Sequence, residues 1–244
     1  MDWVWPLLGA PFVGSFLAVL IRRMPRGALL VPARSHCEAC GAAIALRDMI
    51  PLLGAVLLRG RCRVCGAEIA AQHWHVELAA VLVPATALLA GVDPSALWPV
   101  CILGWALLAL GWIDWDWLLL PDALTLPLVL AGLAATWWLD PGLTTDHAVA
   151  AALGYASVQA LAMGYRRLRG REGIGAGDAK LLAAIGAWTG LELLPWVVMG
   201  AAVTGLLLAA AMAARGRAMG AATALPFGTC LAVAGWCAAL ATWR

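Results

Sequence analysis

Four cysteines of this 244-residue chain stand as two C-x-x-C pairs, "CEACG" at 37–41 and "CRVCG" at 62–66, with 21 residues between them. Two intervening residues let both thiolates of a pair face one ion, and the glycine behind permits a tight turn. Four sulfurs so placed suit tetrahedral zinc at roughly 2.3 Å per bond. Two disulfides or a redox pair are the alternatives. A cytoplasmic site disfavours the first, and two matched knuckles are unusual for the second. Because four thiolates leave no open position, Cys37, Cys40, Cys62 and Cys65 read as a structural zinc site. His73 and His75 follow closely and could add ligands; packing at an interface is the preferred reading. Cys101, Cys230 and Cys237 lie in apolar stretches and read as packing residues.

A second set of chemical groups is acidic. "GWIDWDWLLLPDALTLP" at 111–127 carries Asp114, Asp116 and Asp122 with no basic neighbour, and "GAGDAK" at 175–180 carries Asp178 and Lys180. A charge in the middle of a bilayer costs about 2.5–3.5 kcal/mol, so carboxylates beside apolar runs call for a reason. Asp122 precedes an apolar helical stretch and suits an N-cap; Asp116 suits a solvated loop. Asp114 ends the run "CILGWALLALGWI", and Asp178 opens another. Both are expected at one membrane boundary on one side. Two carboxyl groups converging on a water could share a proton, one acting as base and the other as acid. Helix caps or ion-pair partners are the alternative for such residues. The glycines fit neither G-x-G-x-x-G nor the P-loop pattern, so phosphate binding is excluded. They would instead let a substrate backbone approach closely. Lys180 is an interfacial anchor or a partner for a neighbouring charge.

The elements that must position these groups are membrane helices. The chain is 64% hydrophobic and 12% charged, half the usual charged share, with 14 tryptophans suited to bilayer interfaces. An all-α polytopic membrane protein is expected, with about eight transmembrane helices and a small cytoplasmic zinc module between helices 1 and 2. The division is 1–21 for the first helix, 22–75 for the four-cysteine module and 76–244 for the remaining membrane domain. The N-terminus has no basic start and places Arg22 and Arg23 after its apolar run, the opposite of a cleaved signal peptide. Eight of the sixteen basic residues lie in 22–75, and "RRLRGR" at 166–171 and Arg215 with Arg217 form the other clusters. Placing every cluster in the cytoplasm requires residues 181–214 to cross twice, with Glu192 and Pro195 at the turn. The basic residues thus mark membrane orientation, and no nucleic-acid partner is expected.

These stretches together resemble the prepilin leader peptidase family of bifunctional membrane enzymes. "GSFLAVLIRRMP", "RSHCEACGAAI" with "RDMIP", "LLRGRCRVCGAEI", "IDWDWLLLPDALTLP", "GAGDAK" and "PFG" carry the likeness in family order over nearly the whole chain. The resemblance implies an aspartic endopeptidase that cleaves type IV prepilins or type II secretion pseudopilins on the cytoplasmic side of the bacterial inner membrane. It maps the two catalytic aspartates to Asp114 and Asp178. It also implies N-methylation of the trimmed product with S-adenosylmethionine, with Glu77 matching an acidic position of the family. Glu38 and Thr229 stand where the family commonly has proline, and "AAQHWHVE" at 70–77 departs from the family pattern. The alternatives are a protease without methylation, a non-enzymatic membrane assembly protein with a zinc docking module, and a transporter that uses the aspartates as a proton relay. Oligomeric state is not legible.

Overall fold

The computed structural model describes residues 3–27, 36–37, 39–58, 60–170, 175–216 and 224–244. Among the described residues there are no strands, only helices: α1 (Val4–Arg23), α2 (Leu53–Leu57), α3 (Gln72–Leu89), α4 (Leu97–Trp117), α5 (Asp122–Leu139), α6 (Thr144–Arg169), α7 (Ala176–Ala214) and α8 (Phe227–Thr242). Six of them, α1 and α3 to α7, are long and apolar enough to cross a membrane. In hydrocarbon every backbone polar group must find a partner within the chain, so long apolar runs settle as helices whatever their local propensity. Trp137 and Trp138, 69% and 86% exposed at the end of α5, have the placement of interfacial anchors.

The chain divides into two compact units, Met1–Cys101 and Ile102–Arg244. In the first, α1 and α3 pack side by side. They come close together at Gly14, where a Cβ would lie 2.6 Å from the Glu77 Cα. Small residues allow such backbone contact between helices in a membrane. The polar segment between α1 and α3 holds both cysteine pairs and the short helix α2. Helix α3 starts at Gln72, so residues 72–75 are helical.

In the second unit α7 packs against α5, α6 and α8. Leu103, Leu110, Leu181, Ile185, Trp188 and Leu231 are almost fully buried at its core. The indole N–H groups have partners: Trp188 donates to the Leu128 carbonyl at 2.9 Å and Trp243 to the Trp188 carbonyl at 3.1 Å. Each pairing satisfies the polar end of an otherwise apolar ring.

Helix α7 is broken at Gly190, whose φ of 75° and ψ of 178° lie outside the helical region. The two parts are about 21 Å and about 36 Å long at 1.5 Å per residue. The break therefore lies before Glu192 and Pro195, where the turn was expected. Glycine reaches a positive φ without strain, whereas Pro195 is carried inside the second part. The Leu191 N–H, left open by the break, donates to Asp146 Oδ2 at 2.9 Å. Helix α8 has 16 residues, about 24 Å against a hydrocarbon core of about 30 Å, and starts after the expected residue 220. Arg34, Glu38, Arg59, Arg171, Gly173 and Arg217 lie outside the described residues.

Candidate active site and metal centre

The two cysteine pairs fold alike. Cys37 N–H donates to the Ala42 carbonyl and Gly41 N–H to the Cys37 carbonyl, both at 2.8 Å. Cys62 N–H to Ala67 at 2.8 Å and Gly66 N–H to Cys62 at 2.9 Å repeat the pattern. Gly41 and Gly66 turn with φ of 72° and 71°, and the bridges His36–Ala43 and Arg61–Glu68 close each loop. The four sulfurs lie within 4.8 Å of one another, with Cys37 Sγ and Cys65 Sγ 3.8 Å apart. Four bonds of 2.3 Å in a tetrahedron require sulfur pairs about 3.8 Å apart, so the thiols fit zinc.

The Cys62 thiol is lowered to about 6, first by the N–H of Cys65 and then by that of Val64. Cys65 accepts the Ala67 N–H, its largest single influence, yet is pushed up to about 11, first by the Cys40 thiol, then by partial desolvation and the thiols of Cys62 and Cys37. Such a cluster shares the proton that a metal would displace. Among the described residues the ligand cluster contains no histidine. His73 Nε2 instead accepts from Arg22 at 3.2 Å, and His75 stacks on Trp74 with centroids 5.3 Å apart. Cys101 and Cys230 are buried as packing residues, but Cys237 is exposed.

The cysteine loops are tied down on both sides. Arg63 grips Asp48 with two bonds of 2.9 and 2.6 Å. The almost buried Glu77 accepts the Leu52 N–H at 2.8 Å, where Leu52 has a φ of 62°. A side chain other than glycine in that conformation carries about 1–2 kcal/mol of strain, so the bond holds a turn that would otherwise relax. Glu77 thus links α3 to the segment leading into the second cysteine pair.

Asp114 lies in the last turn of α4 and is 5% exposed. Its Oδ2 accepts the Thr229 N–H at 2.8 Å and lies 3.3 Å from Thr229 Oγ1, which donates to the Gly111 carbonyl at 2.8 Å. Gly228 and Thr229 occupy the first turn of α8, whose N–H groups have no partner within that helix. The carboxyl of Asp114 therefore caps α8 from outside, with the helix dipole favouring an acceptor there. Asp178 lies in the first turn of α7, half-buried, and its carboxyl receives the N–H of Gly175, the residue that begins the helix. The structure brings the Asp114 and Asp178 side chains close enough to interact electrostatically.

Leu120 is buried beside Gly177 and Gly228. A Cβ at Gly177 would lie 2.9 Å from Leu120 Cβ, and one at Gly228 would lie 2.9 Å from both Leu120 Cδ1 and Asp114 Cγ. The glycines of "GAGD" and "PFG" therefore allow α7, α8 and the α4–α5 turn to meet. Leu118, in that turn, has a φ of 52°.

The other two aspartates differ from expectation. Asp116 is exposed but sits inside α4, because the helix continues to Trp117. Asp122 does not cap α5: Pro121 occupies the cap position, and Asp122 is in the first turn with Oδ1 2.6 Å from Lys180 Nζ. Proline before an acidic residue is a sequence signal for that arrangement, since its fixed φ suits a helix start. Thr229, Leu120 and Asp122 had no catalytic signal in the sequence, because their roles depend on which helices meet.

Residues 7–90 match the family described as the bacterial peptidase A24 N-terminal domain, and residues 101–210 match the type IV leader peptidase family. A Burkholderia pseudomallei (strain 1026b) protein named prepilin leader peptidase/N-methyltransferase is 39% identical over 252 residues, covering 91% of this chain and 80% of its own. Proteins of the same name from Dichelobacter nodosus and Pseudomonas aeruginosa are 35% and 36% identical. The alignments cover 92% and 96% of this chain, and 86% and 88% of theirs. No solved structure matches the chain. Likeness of this extent, running through both cysteine pairs and both aspartate segments, shows that the chain belongs to the type IV leader peptidase family.

Proposed function

We propose that the protein removes the leader peptide from type IV prepilins or type II secretion pseudopilins and N-methylates the residue so exposed. The observation that carries the peptidase half is the meeting of Asp114 and Asp178, each at a helix N-terminus, in a chain of this family. In this reading the two carboxyl groups share one proton. One takes a proton from water as the oxygen attacks the scissile carbonyl, and the other gives its proton to the carbonyl oxygen. Collapse of the tetrahedral intermediate breaks the C–N bond as the amine leaves with a proton from the dyad. The Thr229 N–H holds the plane of the Asp114 carboxyl through both steps.

The surrounding architecture and the methyl-transfer half belong to the same proposal. Counting α7 as two spans on either side of Gly190 and α8 as one gives eight crossings. Arginines end α1 and α6 and follow α7, supporting a cytoplasmic face at those ends and hence at Asp114 and Asp178. Residues 1–21 form the first span, 22–75 the zinc module with Cys37, Cys40, Cys62 and Cys65 as ligands, and 76–244 the peptidase domain of an inner-membrane enzyme. S-adenosylmethionine supplies an electrophilic methyl group when bound. Glu77 serves the methyl-transfer half by holding the turn at Leu52.

The test is cleavage of a prepilin by purified protein in detergent, read as loss of leader mass. Asp114→Asn and Asp178→Asn are expected to lose about a thousandfold in rate, and Asp116→Asn to retain it. Undiminished cleavage by either of the first two overturns the dyad.

A further inference from the structure

We propose that Lys180 and Asp122 form a latch that positions the two aspartates, acting through the turn between them and not by touching the substrate. The inference rests on the dyad reading of Asp114 and Asp178. Lys180 Nζ lies 2.6 Å from Asp122 Oδ1, across 58 positions of sequence. One partner belongs to the first turn of α5, directly after the turn that follows Asp114. The other lies two residues beyond Asp178 on α7. A single ion pair therefore joins the segments that deliver the two carboxyl groups.

Helix geometry separates Lys180 from the dyad. Residues two apart on a helix point to different sides, so Lys180 faces α5 while Asp178 faces Asp114. A cation near a helix N-terminus also runs against the helix dipole, which gives Lys180 no reason to be there without a partner. The pair is partly open, with side chains 27% and 57% exposed, so its contribution to stability is small. Its contribution is to register. Deeper in the unit, the Trp188 bond to the Leu128 carbonyl holds the bodies of α5 and α7 together. At the dyad end the turn bends through Leu118, with a positive φ, and carries the buried Leu120 against Gly177 and Gly228. The latch pins the far end of that turn. Without it, Leu120 is free to shift against Gly228, and Gly228 is in contact with Asp114.

The experiment measures kcat and KM for prepilin cleavage by the full-length protein and five variants. These are Lys180→Met, Asp122→Asn, the two combined, Lys180→Arg, and the charge exchange Lys180→Asp with Asp122→Lys. Each neutral single variant is expected to lose about 10-fold to 100-fold in kcat with KM within about twofold, the size of effect a small misplacement produces. The combined variant is expected to be no slower than the worse single, the charge exchange to recover most of kcat, and Lys180→Arg to stay near wild type. Neutral singles at the wild-type kcat overturn the latch. Losses that multiply in the combined variant, or a defect in Lys180→Met that Asp122→Asn does not share, overturn it too. Absence of cleavage by the wild type overturns the peptidase reading itself, and the latch with it.

Discussion

The Thr229 N–H at the start of α8 donates to Asp114 Oδ2 at the end of α4 over 2.8 Å. That bond joins residues 115 positions apart and sets the carboxyl of Asp114 against the positive end of a helix. A proline at position 229 would have no N–H to give, so the bond requires a residue that keeps its backbone donor, as Thr229 does.

The seat of Asp114 leaves no room for a methyl group. Gly228→Ala would place Cβ 2.9 Å from Asp114 Cγ and from Leu120 Cδ1. Prepilin cleavage is expected to fall about 100-fold, with helix content by circular dichroism unchanged. Thr229→Val keeps the N–H and is expected to cleave within a few fold of wild type.

The four-cysteine cluster has a pH signature. The depressed Cys62 thiol favours the folded metal-free module fully above its ordinary value of 9.0, and that contribution is lost as pH falls to about 6. In protein treated with a chelator, iodoacetamide is expected to label Cys62 ahead of Cys65 at pH 7, as mapped by mass spectrometry. Zinc is expected to block labelling at both and to dissociate on acidification, because protons compete for the thiolates. Equal labelling of the two cysteines without metal would falsify the assignment of Cys62 as the first thiolate.

Glu77 holds Leu52 in a strained turn. Glu77→Ala is expected to expose the 46–57 segment to limited proteolysis and to lower methyl transfer more than cleavage. Glu77→Gln still offers an oxygen to the Leu52 N–H and is expected to keep the segment protected. Parallel loss of both activities in Glu77→Ala argues against a role confined to the methyl-transfer half.

At Gly190 a side chain meets both strain and contact. The φ of 75° disfavours any L residue, and a Cβ would lie 2.7 Å from Asp146 Oδ2. Gly190→Ala is expected to cost about 1–3 kcal/mol, read as a lower Tm in detergent. Asp146→Asn, which can still accept the Leu191 N–H, is expected to cost less.

Several features were legible from residues close together in sequence. The C-x-x-C-G pairs specify their loops because ligand spacing and the glycine turn are local. Apolar runs specify membrane helices because hydrocarbon supplies no hydrogen-bond partners. Asp114 and Asp178 stand out in the sequence because each borders such a run, and "GAGDAK" and "PFG" carry the family likeness. Charge topology calls for an interruption within 181–214 without naming its residue, since glycine and proline both interrupt helices; the break in α7 is at Gly190, beside Asp146.

What lies between distant segments belonged to the tertiary structure. The same composition allows Asp122 to cap its own helix or to pair with Lys180, and the packing of α5 against α7 selects the pair. Glu77 becomes a support for Leu52, and Thr229 a donor to Asp114, for the same reason. A sequence specifies which groups a segment can offer, because that depends on neighbours a few bonds away. Which group meets which depends on the angles and offsets of packed helices, and in this protein those are set by close contacts at Gly177, Gly228 and Leu120.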